Sequence, residues 1–362
     1  MREESAEIKR PLRTGFSTGA CATACSLAAA RCLFQLSVDN SQVLITLPKG
    51  QRVSFSLVYC RVTAQGAEAA TIKDAGDDPD VTHGALIMAR VELMAEPGIL
   101  FRAGAGVGTV TLPGLSLAVG EAAINPVPRA MMRQHLTQMA QEVNYLGGFG
   151  VTIGVENGAQ LALKTMNGRL GIVGGLSILG TTGIVKPFSC SAYIASIHQS
   201  MDVAHALGID QLVAVTGSVS ESAIKQRQSI PDQAVIEMGD FVGAVLKYLK
   251  PHFKRLSLVG GIAKIAKLAH GAINLHSQDS QHDFEWLAQV SHTLGLSEKE
   301  CAVVRQARSV QQIIQTPSFP VARWSDYLCQ LARQQVLTRL PCALEVEVWA
   351  CDRQGQLIGH AA

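Results

Sequence analysis

Charge is scarce in this chain of 362 residues: only 17% of them are Asp, Glu, Lys or Arg, and the net charge is +2. So weak a field offers no steering toward nucleic acid or an anionic membrane surface. Aromatic residues are few, at 5%, which argues against stacking platforms for single strands. No apolar run reaches the roughly 18 to 20 residues that span a bilayer. The opening MREESAEIKRPLRTGF lacks the apolar stretch of a signal peptide. These absences predict a cytoplasmic protein with no nucleic-acid and no membrane partner. Nine cysteines occur without one Cys-x-x-Cys pair, which predicts reduced thiols rather than disulfides or structural zinc. Cys21, Cys25 and Cys32 share a helical face, but in an alanine-rich helix they read as small buried residues.

What is present is hydrophobic material, 48% of the chain, enough for sizeable cores. The length suggests two domains. RTGFSTGACATACSLAAARCLF reads as a polar loop entering a helix that Thr18 or Ser17 can cap and that runs to about residue 34. QVLITLPKGQRVSFSLVYCRV reads as strands around a Pro48–Gly50 turn. Residues 87–94 alternate as a strand with one buried face. Pro126 and Pro128 fix the entry to a helix over 129–142, and Asn157-Gly158 suggests a hairpin turn. The first domain, 1–167, is therefore expected to be α+β.

Beyond it, apolar runs ending in small residues begin at Leu170, Gln211 and Leu256. Helical stretches over 191–207, 232–249 and 262–269 alternate with them. That alternation predicts an α/β doubly wound (Rossmann-like) C-terminal domain over 168–362, with later helices near Glu298 and Trp324 and a final strand pair.

Two stretches invite chemistry. KDAGDDPDVTHG, Lys73 to Gly84, holds four aspartates. Counted from Asp74, the sixth position is Pro79 and no glutamate closes the loop, so an EF-hand is disfavoured. A turn alone, or a turn presenting Lys73, Asp77 or His83 to a ligand, both remain. GRLGIVGGLSILGTTGIVKPFS, Gly168 to Ser189, is rich in glycine and threonine. It is neither a Walker loop nor Gly-x-Gly-x-x-Gly, nor the acidic-Gly-x-Gly-x-Gly form of many S-adenosylmethionine methyltransferases. It is either a ligand cradle or a set of packing glycines. Val215-Thr216-Gly217-Ser218 and Val259-Gly260-Gly261 mark strand ends, where open parallel sheets bind ligands. His276, in NLHS, is a candidate proton carrier. His198 and His205 read as surface residues. Gly-x-Ser-x-Gly and His-Glu-x-x-His are absent.

Taken in order, RTGFSTGACATA, KDAGDDPDVTHG, GVGTVTLPGL, GEAAINPVPRAMM, GGLSILGTTGIVKPFS, IEMGDFVG and NLHS carry a resemblance. The chain resembles the cobalt-precorrin-5B C-1-methyltransferase family of the anaerobic route to cobalamin. Ala105, Leu112 and Ala122 depart from the family pattern at positions near the substrate motifs. The resemblance implies S-adenosylmethionine as methyl donor, and cobalt only as part of the tetrapyrrole substrate, with no protein metal site. The cradle and the strand ends supply the cofactor candidates Gly174, Gly175, Gly180, Thr181, Thr182, Gly183, Gly217, Ser218, Gly260 and Gly261. Substrate carboxylates would be met from Arg13, Lys49, Lys73, Arg102, Arg129 and Lys186, with Thr14, Ser17, Thr18, Asp74, Asp80, Glu121 and Asn125 as the other substrate-binding candidates. Asp77, Asp78 and His276 are the catalytic candidates, with the acidic segment as one wall of a cleft between domains. A homo-oligomer is compatible with the sequence. Without the resemblance, an α/β transferase with a nucleotide-like cofactor, a non-catalytic tetrapyrrole carrier and a dinucleotide-dependent reductase stay in competition.

Overall fold

The computed structural model describes residues 11–36, 42–277, 279–340 and 343–362. Contacts divide the chain into two compact units, 1–190 and 191–362.

The first unit begins with β1 (Gly15–Phe16) and α1 (Thr18–Leu33). Ser17 caps α1 by accepting the Ala20 N–H at 3.2 Å, which satisfies one donor left open by the first turn. Every residue from 18 to 30 in α1 is buried. Their small side chains let this helix lie close to its neighbours on all sides. Next come β2 (Gln42–Thr46), β3 (Arg52–Ser56), β4 (Tyr59–Thr63), β5 (Gly66–Ile72), β6 (Leu86–Met94), β7 (Ile99–Ala103) and β8 (Thr109–Val110). After α2 (Pro126–Glu142) follow β9 (Gly148–Val155), α3 (Gly158–Ala162), β10 (Ile172–Val173) and β11 (Ile184–Val185). The main sheet has the order β4-β5-β6-β9-β7. Only β7 and β9 run parallel in it. Helix α1 packs on β5 and β6 and against α2.

The glycine-rich stretch belongs to this unit, not to the second domain expected from residue 168. Its backbone is threaded among first-unit loops. Ile178 N–H donates to Ala123 O at 2.7 Å, Asn125 N–H to Ile178 O at 2.9 Å, and Ser17 N–H to Gly183 O at 2.9 Å. The strand expected at Leu170 shrinks to β10, which pairs antiparallel with β8. The hairpin expected at Asn157-Gly158 is also corrected. Asn157 is left-handed (φ 53°) and leads into α3 instead of a second strand.

The second unit opens with α4 (Cys190–Ala206), β12 (Gln211–Val215) and α5 (Ser218–Arg227). The helix expected over 232–249 is in fact a 3-10 turn, then β13 (Val235–Glu237), then α6 (Val242–Tyr248). Then come β14 (Arg255–Gly261), α7 (Ile262–Ala269), α8 (Phe284–Thr293), α9 (Glu298–Gln306), α10 (Val310–Ile314), α11 (Val321–Leu337), β15 (Glu345–Cys351) and β16 (Leu357–Ala361). The sheet order is β13-β12-β14-β15-β16, parallel except for β16. Alternate strand residues feed two cores. Leu212, Ala214, Leu256, Leu258, Val346 and Val348 join α4, α6, α7 and α11 in the larger one. Val213, Val215, Val259 and Trp349 join Ile224 of α5 in the smaller one.

Chain order and sheet order together mark where a crevice is expected. From β12 the chain passes to β13 on one side, then returns to β14 on the other. The carboxyl ends of β12 and β14 therefore flank the point where the winding reverses, which is where open α/β sheets bind ligands.

Candidate functional site

The first unit gathers most of the polar residues singled out in the sequence, and joins them to one another. The Arg13 guanidinium pairs with Asp74. Asp77 accepts the Arg13 N–H at 2.6 Å, and Asp78 accepts the Phe188 N–H at 2.9 Å. Asp80 takes Lys73 Nζ at 2.7 Å and both donors of Thr82. So each of the four aspartates holds a donor, and together they tie three separate stretches of chain. Lys73 is 1% exposed. At Asp80 burial raises the pKa, but the charge and hydrogen bond of Lys73 and the Thr82 donors outweigh it and the net shift is downward.

Thr18 Oγ1 accepts the Leu179 N–H at 3.0 Å. Arg129 donates to Glu121 at 2.9 Å and to the carbonyls of Ile124 and Ala122, and Arg102 pairs with Glu92. Thr14 is exposed and bridges to Gly76. Of the cations expected to meet substrate carboxylates, Arg13, Lys73, Arg102 and Arg129 already hold protein carboxylates. Lys49 and Lys186 are exposed and make no ion pair among the described residues.

The glycines of the cradle divide in the same way. A Cβ at Gly175 would strike the Gly106 backbone, one at Gly180 the Ser17 side chain, and one at Gly183 the Leu47 side chain. Close packing accounts for those three. Only Gly174 (φ 89°) opens on free space.

Asp74 gives a prediction. Hydrogen bonds from Arg13 and Gly76 hold its carboxyl at about 2, below the ordinary 3.8. A depressed folded value adds stability above pH 4 and loses it as pH falls toward 2. The pair is half exposed, so Asp74→Asn should cost only about 0.5–1 kcal/mol at pH 6. Urea titrations of wild type and variant should converge by pH 2; a difference that persists there refutes the assignment.

The second unit offers a different candidate site at the carboxyl ends of its strands. Gly217 precedes α5 with φ 155°, and Gly261 precedes α7; a Cβ at either would meet nothing within 4 Å. Gly260, by contrast, makes room for Thr216. Lys264 Nζ donates to Thr216 O at 3.2 Å and lies 3.1 Å from Asp240 Oδ1. That oxygen is buried and receives no aligned hydrogen bond. Asp240 O accepts the Leu275 N–H at 2.9 Å, and Lys267 Nζ donates to Leu275 O at 2.9 Å. Those two bonds fix the NLHS loop, with His276, beside the exit of β13. A Cβ at Gly239 would lie 2.8 Å from Tyr193 Oη. Burial, then the charges of Glu237 and Asp240, push the Tyr193 hydroxyl up to about 12, so it remains a donor at neutral pH.

The candidate catalytic trio is thus divided: Asp77 and Asp78 lie in the first unit, His276 in the second. So are the cofactor candidates, with Gly174–Gly183 in one and Gly217, Ser218, Gly260 and Gly261 in the other. Tyr193, Glu237, Asp240 and Lys264 were missed. The signal for two of them was available: IEMGDFVG places Glu237 twenty residues after Gly217, the spacing at which an acid meets a ribose in sheets of this kind. Among the described residues no group of three or more His, Cys, Asp or Glu could hold a metal, and no helix is long and apolar enough to cross a membrane.

Comparison with known proteins decides the family. A family model described as CbiD matches residues 5–187, and one described as CbiD, C-terminal domain, matches residues 274–362. The chain belongs to the CbiD family. It is 57% identical over 362 residues to the cobalt-precorrin-5B C(1)-methyltransferase of Burkholderia lata, covering 100% of both chains. It is 56% identical to the protein of that name from Pseudomonas paraeruginosa, covering 100% of this chain and 99% of the other. A crystal structure of a cobalamin biosynthesis protein (cbiD) from Archaeoglobus fulgidus aligns with 74% of this chain and 83% of its own, at 27% identity and a TM-score of 0.41. The crevice residues 216–264 fall between the two CbiD matches, and the full-length relatives span them.

Proposed function

We propose that this chain transfers a methyl group from S-adenosylmethionine to C-1 of cobalt-precorrin-5B, giving cobalt-precorrin-6A, and that its second unit is a Rossmann-like cofactor domain. The observation that carries the reading is the full-length likeness to enzymes of that name. The cobalt arrives within the substrate.

The residues at the crevice suit the donor. Gly217 and Gly261 leave bare backbone beside open space, so a ligand can approach the main chain. The first turns of α5 and α7 present N–H groups that suit an amino-acid carboxylate. Asp240 is already neutralised by Lys264. The carboxylate therefore suits a neutral hydroxyl, as on a ribose, better than a second cation. Glu237 makes no ion pair among the described residues and offers a second acceptor beside it.

When bound, S-adenosylmethionine supplies an electrophilic methyl carbon. Transfer to a carbon nucleophile asks little acid–base work of the protein, which must align the partners and exclude water. Lys264 holds the ends of β12 and β13 together through Thr216 and Asp240. His276 is the candidate to carry a proton away. Asp77 and Asp78 act as positioning residues, because each engages a backbone N–H.

The test is incubation with methyl-labelled S-adenosylmethionine and cobalt-precorrin-5B, with mass analysis of the product. One labelled methyl at C-1 is expected. Substrate recovered unchanged, together with tight binding of the tetrapyrrole, would make the chain a carrier instead.

A further inference from the structure

A groove of about 580 Å³ lies in the second unit between α5 and β16. Trp349 belongs to its lining, with Gln226 and Arg227 from α5, Gln356 and His360 from the last hairpin, and Asp326 from α11. Trp349 is 6% exposed. Its ring stacks with His360 at 3.7 Å, and the Arg227 guanidinium lies 5.5 Å from its centre.

The charges around this stack are unevenly matched. Both neighbouring carboxylates are engaged by the protein. Asp326 Oδ1 accepts the His360 N–H at 2.8 Å. Glu347 Oε2 accepts Ser257 Oγ at 3.0 Å and Trp349 Nε1 at 3.3 Å. Arg227, in contrast, makes no ion pair among the described residues, and His360 Nε2 is buried without a hydrogen-bond partner. A guanidinium over an indole, with no protein carboxylate on it, keeps its fork available for a bidentate carboxylate. An imidazole nitrogen buried without a partner is a costly arrangement, and a small turn of the His360 ring into the groove it lines would let a ligand relieve it.

We propose that this groove binds a carboxylate arm of a flat, many-armed acid, with Arg227 gripping the carboxylate and His360 and the two glutamine amides meeting a second polar group. The choice of a tetrapyrrole acid as occupant rests on the proposed function; the guanidinium and imidazole geometry does not.

The test uses the full chain and calorimetric titration with uroporphyrin I, a flat tetrapyrrole bearing carboxylate arms, and separately with inorganic phosphate. Arg227→Gln should weaken uroporphyrin binding roughly tenfold or more, the worth of one charge-assisted fork. Gln226→Glu, at an exposed position, should weaken it through like-charge repulsion while leaving the fold intact. Hydrogen exchange should slow in residues 357–361 on binding. Binding of S-adenosylhomocysteine should be the same in both variants and wild type. Uroporphyrin affinity unchanged in both variants overturns the proposal. So does phosphate binding that depends on Arg227 without any uroporphyrin binding, which would mark a general anion site. If labelled methyl transfer fails, the proposed activity falls, but the porphyrin titration still decides this groove.

Discussion

Asp80→Ala should destabilise the first unit by about 3–5 kcal/mol, because it leaves the buried Lys73 ammonium without its partner. Lys73 is 1% exposed and Asp80 is its only ion-pair partner among the described residues. Water cannot easily take over the lost interaction. For a unit of this size the melting temperature should fall by roughly 10 °C. Lys73→Met combined with Asp80→Ala should recover most of the loss, since an apolar side chain in the same space carries no unpaired charge. Calorimetry of the wild type, the single variant and the double variant measures both effects. Methyl transfer per folded molecule separates structure from chemistry. If the double variant folds and keeps its turnover, the pair is structural; if it folds and turnover collapses, Lys73 or Asp80 meets the substrate.

The same acidic segment shows what a sequence can and cannot disclose. Four aspartates in seven positions were visible as an anomaly, and so was the choice between a turn and a ligand wall. Their partners were not visible, because Arg13 and Phe188 lie 64 and 110 residues away from the aspartates they serve. Helices with a clear cap and a small-residue run, such as α1, or with regularly spaced apolar residues, such as α7, were legible from local pattern. β13 was not, because three residues between a proline-led turn and a glycine give too short a period to read. The glycine-rich stretch misled for a physical reason. A glycine needed for close packing and a glycine needed for ligand approach leave the same letter in the sequence. Gly175 and Gly180 are of the first kind, whereas a Cβ at Gly217 or Gly261 would face open space. Only the atoms opposite the missing Cβ tell the two apart. This is also why the domain boundary moved: a run that resembled a strand and its binding loop proved to be packing between loops of the first unit.

Gly261→Asn should leave the fold intact and weaken cofactor binding by roughly thirtyfold or more, if α7 receives a ligand carboxylate. The position is unusual in allowing the two outcomes to be separated. Its φ of −58° and ψ of 140° suit any residue, and a Cβ there meets nothing within 4 Å. Asn is also a favoured N-cap, so its side chain should bond the first-turn N–H groups of α7 and hold stability constant or raise it by a few tenths of a kcal/mol. Those are the same donors a bound carboxylate would use. Cap and ligand then compete directly. Titration of S-adenosylhomocysteine reads the competition without any turnover, and a thermal melt of the same sample controls for folding. Gly217→Asn is a poorer probe, because φ of 155° would add strain of its own. If Gly261→Asn melts like the wild type and binds S-adenosylhomocysteine equally well, the cofactor does not lie at the end of β14.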